Sequence, residues 1–564
     1  MKKYILPVIC ILMSLTACDQ SRLDIPRKGV VPMEDFYITD DDAIAALASG
    51  YQKAMCNISR FSASIYSPFM CLFNWGGDDM YHAGTYYGGS NDFLAAINEY
   101  RYTDDNEVIK NCYKGLYQAI YGMNLVIDNF EYGVSETKDR CISEARVIRA
   151  FSHMMLAIGW DNPPLIDHLI EGSDRPGNTP HDEVLTWVAE ECEDAAKYLY
   201  ERRDIYDKDR AGEVTKGFAW AVAGKARLFL GDYAGAKADL KKVIDSGKYA
   251  LVPGERMSEL FHVEGDGDEE KVFEFNHIYN ANNVYSDRLG RSTWMFAHLL
   301  NWRNDQLAGY PVVLFGTGWG YCAPTGKFAE GLIANDGIDS WRRKAWIKTI
   351  DEVLYELEYP TDSQYPTLEE KMKDPNRGIR KIDGLYSNEG YFDWKRVSYK
   401  TDMINNTYGD YNFQLMRYAE VLLMYAECCA VTSDSDGSGL KALNDVQKRA
   451  GSKTISSKLT LDAVKTEKLY EMWLEGCRWP DLVRWGEAPS VLATNGDRMP
   501  NLRDLYFSAN AAEKTDVHTP YVDWSKANYN ANIEHGFKTG KHEHFPYPFS
   551  ETSINPNIVQ NPGW

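Results

Sequence analysis

Three glutamates with a regular spacing are the first candidates for chemistry. Glu467, Glu471 and Glu475 recur every four residues in the stretch EKLYEMWLEG, so on a helix their side chains share one face, about 5–6 Å apart. That spacing resembles the carboxyl pair of a retaining glycosidase, about 5–5.5 Å. A structural interpretation is favoured, because catalytic carboxylates usually come from different elements across a cleft and because nearby basic residues can neutralise the acids by ion pairing. The basic residues expected to do so are Lys468, Arg478 and Arg484.

Aromatic rings crowd together with Gly, Asn and Asp in three stretches that lack helical periodicity. They are FNWGGDDMYHAGTYYGG at 73–89, STWMFAHLLNWRND at 292–305 and GTGWGYC at 316–322. A sugar has C–H faces that stack on aromatic rings and hydroxyls that pair with polar side chains, so exposed rings on such loops predict a carbohydrate site. Glycines flank Trp319 and Tyr321 and are expected to expose those rings; the alternative for every ring is packing in the core or within a loop. The predicted ligand-binding residues are Asn74, Trp75, Asp78, Tyr81, Tyr86, Tyr87, Trp294, Trp302, Arg303, Trp319 and Tyr321.

Metal and cofactor motifs are weak or missing in the sequence. His542 and His544 in KHEHF lie two apart in a predicted loop, which is a poor spacing for metal ligands. The stretches 264–270 and 434–439 alternate oxygen-bearing residues as calcium loops do, but neither has the twelve-residue pattern, and solvated acidic turns are the favoured interpretation. The sequence contains no G-x-S-x-G elbow, Walker motif or Rossmann glycine set. We therefore predict no metal, no cofactor and no catalytic residue.

The N-terminus has the anatomy of a secretory signal. Lys2 and Lys3 precede an apolar run over 4–15 that is too short to span a bilayer. The run ends in LTAC at 15–18, which resembles the lipobox of bacterial lipoproteins and implies cleavage before Cys18 and acylation of its thiol. Two or more acyl chains give stable membrane anchoring. The alternative is an ordinary signal peptide followed by an incidental cysteine.

Composition excludes some classes of partner. The 564 residues carry a formal charge of -21, and loss of Lys2 and Lys3 with the signal gives -21 - 2 = -23. A surface this acidic repels phosphate backbones, so we predict no nucleic-acid partner. Nine of the 11 cysteines remain after Cys10 and Cys18 are set aside, and their spacing fits no disulfide framework, so most are expected to be buried.

Helical periodicity dominates residues 41–250 and 411–490 and fades between them and after them. Helices are predicted at 39–55, 105–130, 140–160, 181–200, 214–230 and 234–246, with a further pair within 416–450. Residues 224–240 carry the small and aromatic residues of a tetratricopeptide-like hairpin, with a turn at Gly231. The fold class is therefore mostly α, a scaffold of tetratricopeptide-like helix pairs (an α-α superhelix) with a large loop-rich portion that binds ligand. The predicted segments are a signal peptide at 1–17, a tether at 18–40, helical scaffold at 41–250, the loop-rich portion at 251–410, C-terminal helix pairs at 411–490 and a loop-rich tail at 491–564.

Three C-terminal stretches resemble one family. They are RYAEVLLMYAECCA at 417–430, EKLYEMWLEGCRWPDLVRWGE at 467–487 and PYPFSETSINPNIVQNPGW at 546–564. Their order and motifs are similar to those of the SusD/RagB family of outer-membrane nutrient-binding lipoproteins, with EARVIRAFSHMMLAIGWDNPPLI at 144–166 agreeing more weakly. Lys468 and Pro480 depart from the family pattern only in packing detail. The matching residues are Arg417, Glu420, Ala426, Glu427, Glu467, Glu471, Glu475, Gly476, Arg478, Trp479, Asp481, Arg484, Trp485, Pro546, Pro548, Glu551, Asn555, Pro556, Asn557, Gln560, Asn561, Pro562 and Gly563.

The resemblance implies a function without catalysis. A member of this family has four tetratricopeptide-like helix pairs, faces outward from the outer membrane of a Gram-negative bacterium on its lipid, and covers a SusC-type TonB-dependent transporter, to which it delivers oligosaccharides. In the RagB branch the cargo is peptide, so a peptide or glycopeptide ligand stays open. A surface glycosidase is the third alternative, and the aromatic stretches favour sugar over peptide.

Overall fold

The computed structural model describes residues 36–58, 67–82, 92–277, 299–302, 318–349, 352, 389–404, 409, 411–497, 500 and 532–564. Within these ranges no helix combines the length and apolarity needed to cross a bilayer. The helices are α1 (Asp40–Ile58), α2 (Pro68–Trp75), α3 (Asp92–Glu99), α4 (Glu107–Ile127), α5 (Glu136–Trp160), α6 (His181–Ala195), α7 (Lys216–Leu230), α8 (Tyr233–Asp245), α9 (Gly326–Asp336), α10 (Trp341–Trp346), α11 (Tyr418–Thr432), α12 (Ser438–Arg449), α13 (Leu461–Glu471), α14 (Arg478–Arg484), α15 (Ala488–Val491) and α16 (Phe549–Thr552). The strands are β1 (Met80–His82), β2 (Lys271–Phe275), β3 (Cys322–Pro324), β4 (Ile347–Thr349), β5 (Tyr391–Asp393) and β6 (Phe413–Arg417), and short 3₁₀ turns cover Ala196–Tyr198, Lys208–Arg210, Gly254–Glu259, Val263–Gly265 and Lys400–Asp402.

The long helices form one continuous array. α1 packs on α4, and α4 to α8 then pack each on the next along the chain before α8 contacts α11 and α11 contacts α12. Side-chain caps fix where several begin: Asn106 accepts from Val108 N–H at α4, and Thr215 accepts from Phe218 N–H at α7. The mostly helical, tetratricopeptide-like fold predicted from the sequence is confirmed, as are the predicted helices of the N-terminal half and the pair within 416–450.

The hairpin of α7 and α8 depends on two glycines. Gly231 ends α7 with φ +77°, a left-handed conformation that lets the chain turn back at once. Gly224 lies where α8 crosses α7, and a Cβ atom placed there would lie 2.7 Å from Leu240 Cγ. The absence of a side chain therefore sets how closely the two helices approach.

We expect Gly224→Val to destabilise the protein by about 1–3 kcal/mol, because the added side chain must push Leu240 and α8 away. Urea unfolding followed by circular dichroism measures the loss. The matched control is Gly172→Val, because a Cβ at Gly172 meets nothing within 4 Å. Equal unfolding midpoints for the two variants would contradict close packing at Gly224.

The portion between 251 and 410 is less irregular than the sequence suggests. Its described residues include the helices α9 and α10, and Thr325 and Ser340 cap their first turns by accepting from backbone N–H groups. In the described part of the chain, small antiparallel sheets pair β1 with β3, β2 with β6 and β4 with β5. The sequence analysis missed these elements because each is short and its partner lies far along the chain.

The glutamate ladder is buried in an ion-pair cluster. Glu471 contacts three guanidinium groups: Arg417 Nη1 lies 3.0 Å and Arg342 Nη1 3.2 Å away, and Arg449 is also hydrogen-bonded to it. α13 ends at Glu471, so the expectation that all three glutamates share one helical face is wrong for Glu475. The expected neutralising residues are wrong as well, because Lys468, Arg478 and Arg484 pair with Asp481, Asp78 and Glu427 instead. Glu467 and Glu471 are buried inside the protein, and the side chain of Glu475 is 7% exposed and ion-paired to Lys395.

The ionised carboxylate of Glu475 is expected to make the folded protein less stable in acid. Burial alone would raise its pKa, but Arg417 and Lys395 outweigh burial and lower the pKa to about 2, from an ordinary value of 4.5. The folded state therefore binds fewer protons than the unfolded chain in this interval, and the stabilisation is present above pH 4.5 and is lost as the pH falls toward 2.

We expect Glu475→Gln to be less stable than the wild type at neutral pH by about 3 kcal/mol. The difference should shrink below pH 4.5, because the wild-type carboxylate is then losing its charge. Urea midpoints across a pH series measure this, with Asp445→Asn on the exposed face of α12 as the control. A difference that stays constant with pH would show that the charge of Glu475 is not what stabilises the fold.

Candidate functional site

The three aromatic stretches predicted from the sequence meet around one small sheet. β1 pairs with β3 in the register Met80 with Pro324, Tyr81 with Ala323 and His82 with Cys322. The end of the third stretch joins them through the backbone, because Tyr321 N–H donates to Leu299 O at 2.9 Å and Gly320 N–H donates to Asn301 O at 2.9 Å. Segments separated by more than two hundred residues thus form one region.

A cleft of about 360 Å³ opens beside this sheet. We call it the Asp78 cleft. Asp78, Met80 and Tyr81 form one wall, while the first turn of α9 and the loop after α15 form others. The side chains and backbone that line it belong to Asp78, Met80, Tyr81, Asn98, Thr325, Lys327, Val491, Thr494, Asn495, Gly496 and Asp497.

Asp78 is held as a charged hydrogen-bond acceptor between two cations. Arg478 Nε lies 2.7 Å from its Oδ1 and Lys327 Nζ lies 3.0 Å from its Oδ2. Burial alone would raise the pKa of Asp78, but these two cations lower it below its ordinary value. The neighbouring Asp79 lies deeper, and burial together with the charge of Asp78 raises the pKa of Asp79 to about 7.

The rest of the lining is also fixed by hydrogen bonds. Tyr81 Oη donates to Glu389 Oε1 at 2.7 Å, which orients the ring at the edge of the cleft. Asn495 Nδ2 donates to Gly77 O at 3.0 Å, joining the loop after α15 to the first wall. Gly496 has φ +93°, which glycine adopts without strain. The result is a preformed surface of amide, hydroxyl, carboxylate and ammonium groups beside a tyrosine, the kind of surface that binds a polyhydroxylated ligand.

Asp78 and Tyr81 are the predicted site residues that line this cleft. The sequence analysis missed Asn98, Lys327 and Asn495 because none lies in an aromatic stretch. The Asn495-Gly496 dipeptide marks a turn, but no local signal shows that this turn lies beside β1.

Several predicted rings do not face solvent. Trp75 is 0% exposed and its Nε1 donates to His82 Nδ1 at 3.1 Å, while Trp302 is buried and donates to Asp393 O at 2.8 Å. Tyr321 is 4% exposed, so its flanking glycines do not present its ring. The expectation of exposed rings at these three positions is wrong, because Trp75 lies at the buried end of α2 and Trp302 and Tyr321 are held against the small sheets.

Of the remaining described candidates, Trp319 lies nearer the surface and Asn74 forms hydrogen bonds with backbone groups. The half-buried ring of Trp319 lies 5.5 Å from that of Tyr321, which in turn lies 5.4 Å from His82. Asn74 uses both ends of its amide on backbone groups, donating to Met70 O and accepting from Gly476 N–H. Its role here is to join α2 to the loop before α14.

Five candidates lie outside the described residues, so their predicted roles stay predictions. They are Cys18, Tyr86, Tyr87, Trp294 and Arg303.

Across the parts of the chain that the structure describes, no group of three or more His, Cys, Asp or Glu side chains is arranged to hold a metal ion. In the acidic loop at 434–439, Asp434 accepts from Gly439 and Leu440 N–H at the start of α12. Of the nine described cysteines all except Cys56 are buried, as the composition predicted.

Comparison with known proteins decides the family. A model of the SusD family matches residues 238–564, more than half of the chain. The chain belongs to the SusD family. This confirms the resemblance carried by the three C-terminal stretches.

Relatives of this SusD-family chain are distant but cover most of its length. A SusD-like protein of Bacteroides ovatus is 24% identical over 523 residues, covering 86% of this chain and 83% of the relative. The starch-binding protein SusD of Bacteroides thetaiotaomicron is 23% identical over 475 residues, covering 78% of this chain and 76% of the relative. Among solved structures, surface glycan-binding protein A from Bacteroides thetaiotaomicron in complex with laminarihexaose superposes with a TM-score of 0.69 at 20% identity, covering 93% of this chain and 100% of that one. At these identities the solved structures establish the shared fold.

Proposed function

We propose that this SusD-family chain is a cell-surface lipoprotein that binds oligosaccharides in the Asp78 cleft and delivers them to a SusC-type TonB-dependent transporter in the outer membrane. The observation that carries the proposal is the cleft itself, where Tyr81 and fixed polar side chains meet beside the sheet that gathers the aromatic stretches. The names of two relatives support a glycan ligand: one binds starch and one was solved with laminarihexaose. Acylation at Cys18 is the proposed anchor.

The proposed function is binding without catalysis. All three glutamates of the ladder are ion-paired, and Glu467 and Glu471 are buried. In the cleft, both oxygens of Asp78 are paired with cations and its pKa is lowered, so it is a poor proton donor. Asp79, whose pKa is raised to about 7, does not line the cleft.

We expect Tyr81→Ala to weaken glycan affinity by about tenfold or more, because stacking on an aromatic ring contributes about 1–3 kcal/mol by analogy with nucleic-acid bases. Calorimetry with a panel of starch-derived and laminarin-derived oligosaccharides measures the affinity. Tyr206→Ala is the matched control, because Tyr206 is exposed and lies outside the cleft.

Other outcomes separate the alternatives. Unchanged affinity in Tyr81→Ala would place the site elsewhere. Release of reducing ends from any glycan of the panel would favour the glycosidase, and binding of peptides with no binding of glycans would favour the RagB-like alternative. Co-purification of the transporter with the full-length chain, lost when Cys18→Ala prevents acylation, would support delivery at the outer membrane.

A further inference from the structure

A second concave surface lies on the helical array, away from the residues that line the Asp78 cleft. It has a volume of about 540 Å³ and runs along α4 between the loop at 164–176 and the C-terminal tail. Tyr113, Tyr117 and Tyr121 follow one another along its floor at helical spacing. We call it the tyrosine groove.

The groove exposes large apolar side chains to solvent. Tyr121 is 51% exposed, Ile170 43% and Ile554 65%, and all three line the groove. Contiguous apolar surface of this kind marks a place where another segment binds.

The groove also contains a carboxylate that lacks a partner. Glu551 is half-buried at the edge of the tail, and among the described residues its carboxylate makes no hydrogen bond or ion pair. Burial raises its pKa, against the opposing effect of Lys114. The charged lining of the groove combines the acids Asp174 and Glu551 with Lys114 and Arg175. This lining fits an extended segment that places apolar side chains along α4 and a basic side chain at Glu551.

The start of the described chain lies beside the groove. The ring of Tyr37 packs 5.5 Å from that of Phe130. Burial raises the pKa of Tyr37, and Tyr121 is close enough to raise it further. The described chain therefore begins next to the Tyr121 end of the groove.

The sequence just before this point has the required chemistry. Residues 25–33 read IPRKGVVPM, which combines two prolines and several apolar side chains with Arg27 and Lys28. Proline-containing extended segments bind aromatic-lined grooves with little loss of entropy. The helix rises about 12 Å from Tyr113 to Tyr121, a length that about four extended residues cover.

We propose that residues 25–33 of this chain bind in its own tyrosine groove, with the Val-Val-Pro stretch at 30–32 against Tyr121 and Ile170 and the Arg27-Lys28 pair facing Glu551. Arg27 precedes Tyr37 by ten residues, and an extended chain of that length reaches about 30 Å, enough to pass along the groove. If Cys18 carries lipid, as proposed above, only residues 18–24 separate the membrane from the docked segment, and the helical array is held close to the bilayer.

Trypsin cleavage after Arg27 and Lys28 tests the proposal in the full-length chain extracted in detergent. The cleavage rate is followed by mass spectrometry of the N-terminal peptides and compared with that of a synthetic peptide of residues 19–35. Because proteolysis tracks the population of the open form, a docked segment is expected to be cleaved about tenfold or more slowly than the free peptide. Tyr121→Ala and Ile554→Ser are expected to raise the rate toward that of the peptide.

Two further variants make the test specific. Glu551→Gln keeps the shape of the groove and is expected to raise the rate while removing most of its dependence on salt, because only an ion pair is screened. Ile338→Ser, at an isoleucine exposed to a similar extent outside the groove, is the control and should leave the rate unchanged. Circular dichroism melting checks that each variant is folded.

The proposal is overturned if the wild-type segment is cleaved at the rate of the free peptide, or if slow cleavage survives all three groove variants. If the groove variants no longer co-purify with the transporter while cleavage stays slow, the groove binds a partner protein instead of residues 25–33. None of these outcomes depends on glycan affinity at the Asp78 cleft, so the two proposals stand or fall separately.

Discussion

Replacing Arg417 by alanine is expected to destabilise the protein by about 3–5 kcal/mol, because the change leaves buried carboxylates without their counter-charge. Arg417 Nε lies 2.7 Å from Glu475 Oε2, its Nη1 lies 3.0 Å from Glu471 Oε1, and it is also hydrogen-bonded to Glu270. Arg417, Glu270 and Glu471 are fully buried, and the side chain of Glu475 is 7% exposed. When the guanidinium is removed, the carboxylates that it neutralised therefore stay charged in a place where water does not solvate them.

Urea unfolding measures this effect, read as a lower midpoint at unchanged slope. The matched control is Lys441→Ala, which breaks the exposed pair with Asp445 on α12 and is expected to cost well under about 1 kcal/mol. A loss in Arg417→Ala no larger than that of the control would mean that the cluster is hydrated in solution.

The cluster is connected to the proposed binding site by a few residues of the chain. Glu475 pairs with Arg417 and Lys395, Gly476 N–H donates to Asn74 Oδ1, and Arg478 pairs with Asp78 at the cleft. Four consecutive residues from Glu475 to Arg478 thus join the buried charges to the wall of the cleft. Through these contacts the family motif supports one wall of the Asp78 cleft.

The parts of the fold that were predictable from sequence are those set by local chemistry. α4 to α8 have apolar residues at helical spacing, and Asn106, Ser135 and Thr215 lie at their first turns as side-chain caps. Such signals act within a few residues, so one sequence suffices to find them. The ion pairs of Glu475 could not be predicted in this way, because its partners Arg417 and Lys395 come from elements far along the chain.

The candidate site was only partly predictable for the same reason. Asp78 and Tyr81 were found because aromatic and polar residues crowd around them in the sequence. Trp75 has the same local composition, yet its ring is buried, since the decision between core and surface depends on how β1 packs. Lys327 and Asn495 complete the cleft from distant segments, and nothing in their own neighbourhoods indicates it.

The C-terminal tail gives the second large expected effect. Phe545 is 1% exposed; its ring lies 4.4 Å from that of Trp479 in a stacked arrangement and 5.6 Å from that of Trp160. Its backbone is fixed as well, because Phe545 N–H donates to Gly159 O at 2.7 Å and Asn561 Nδ2 donates to Phe545 O at 2.8 Å. The ring therefore fills a site formed by α5, α14 and the tail, where Trp160 is held in place because its Nε1 donates to Pro546 O at 2.9 Å.

We expect Phe545→Ala to destabilise the protein by about 3–5 kcal/mol, the loss typical of a buried aromatic side chain whose cavity stays open. Phe549→Ala is the matched control in the same tail, because Phe549 is 62% exposed and the same atoms are removed without creating a cavity. The urea midpoints of the two variants are compared. The difference between them should be nearly as large as the full loss expected for Phe545→Ala. If both variants unfold at the wild-type midpoint, the tail does not contribute to the cooperative core. The family-matching residues Pro546, Pro548 and Glu551 must then be explained by binding of a partner instead of by packing.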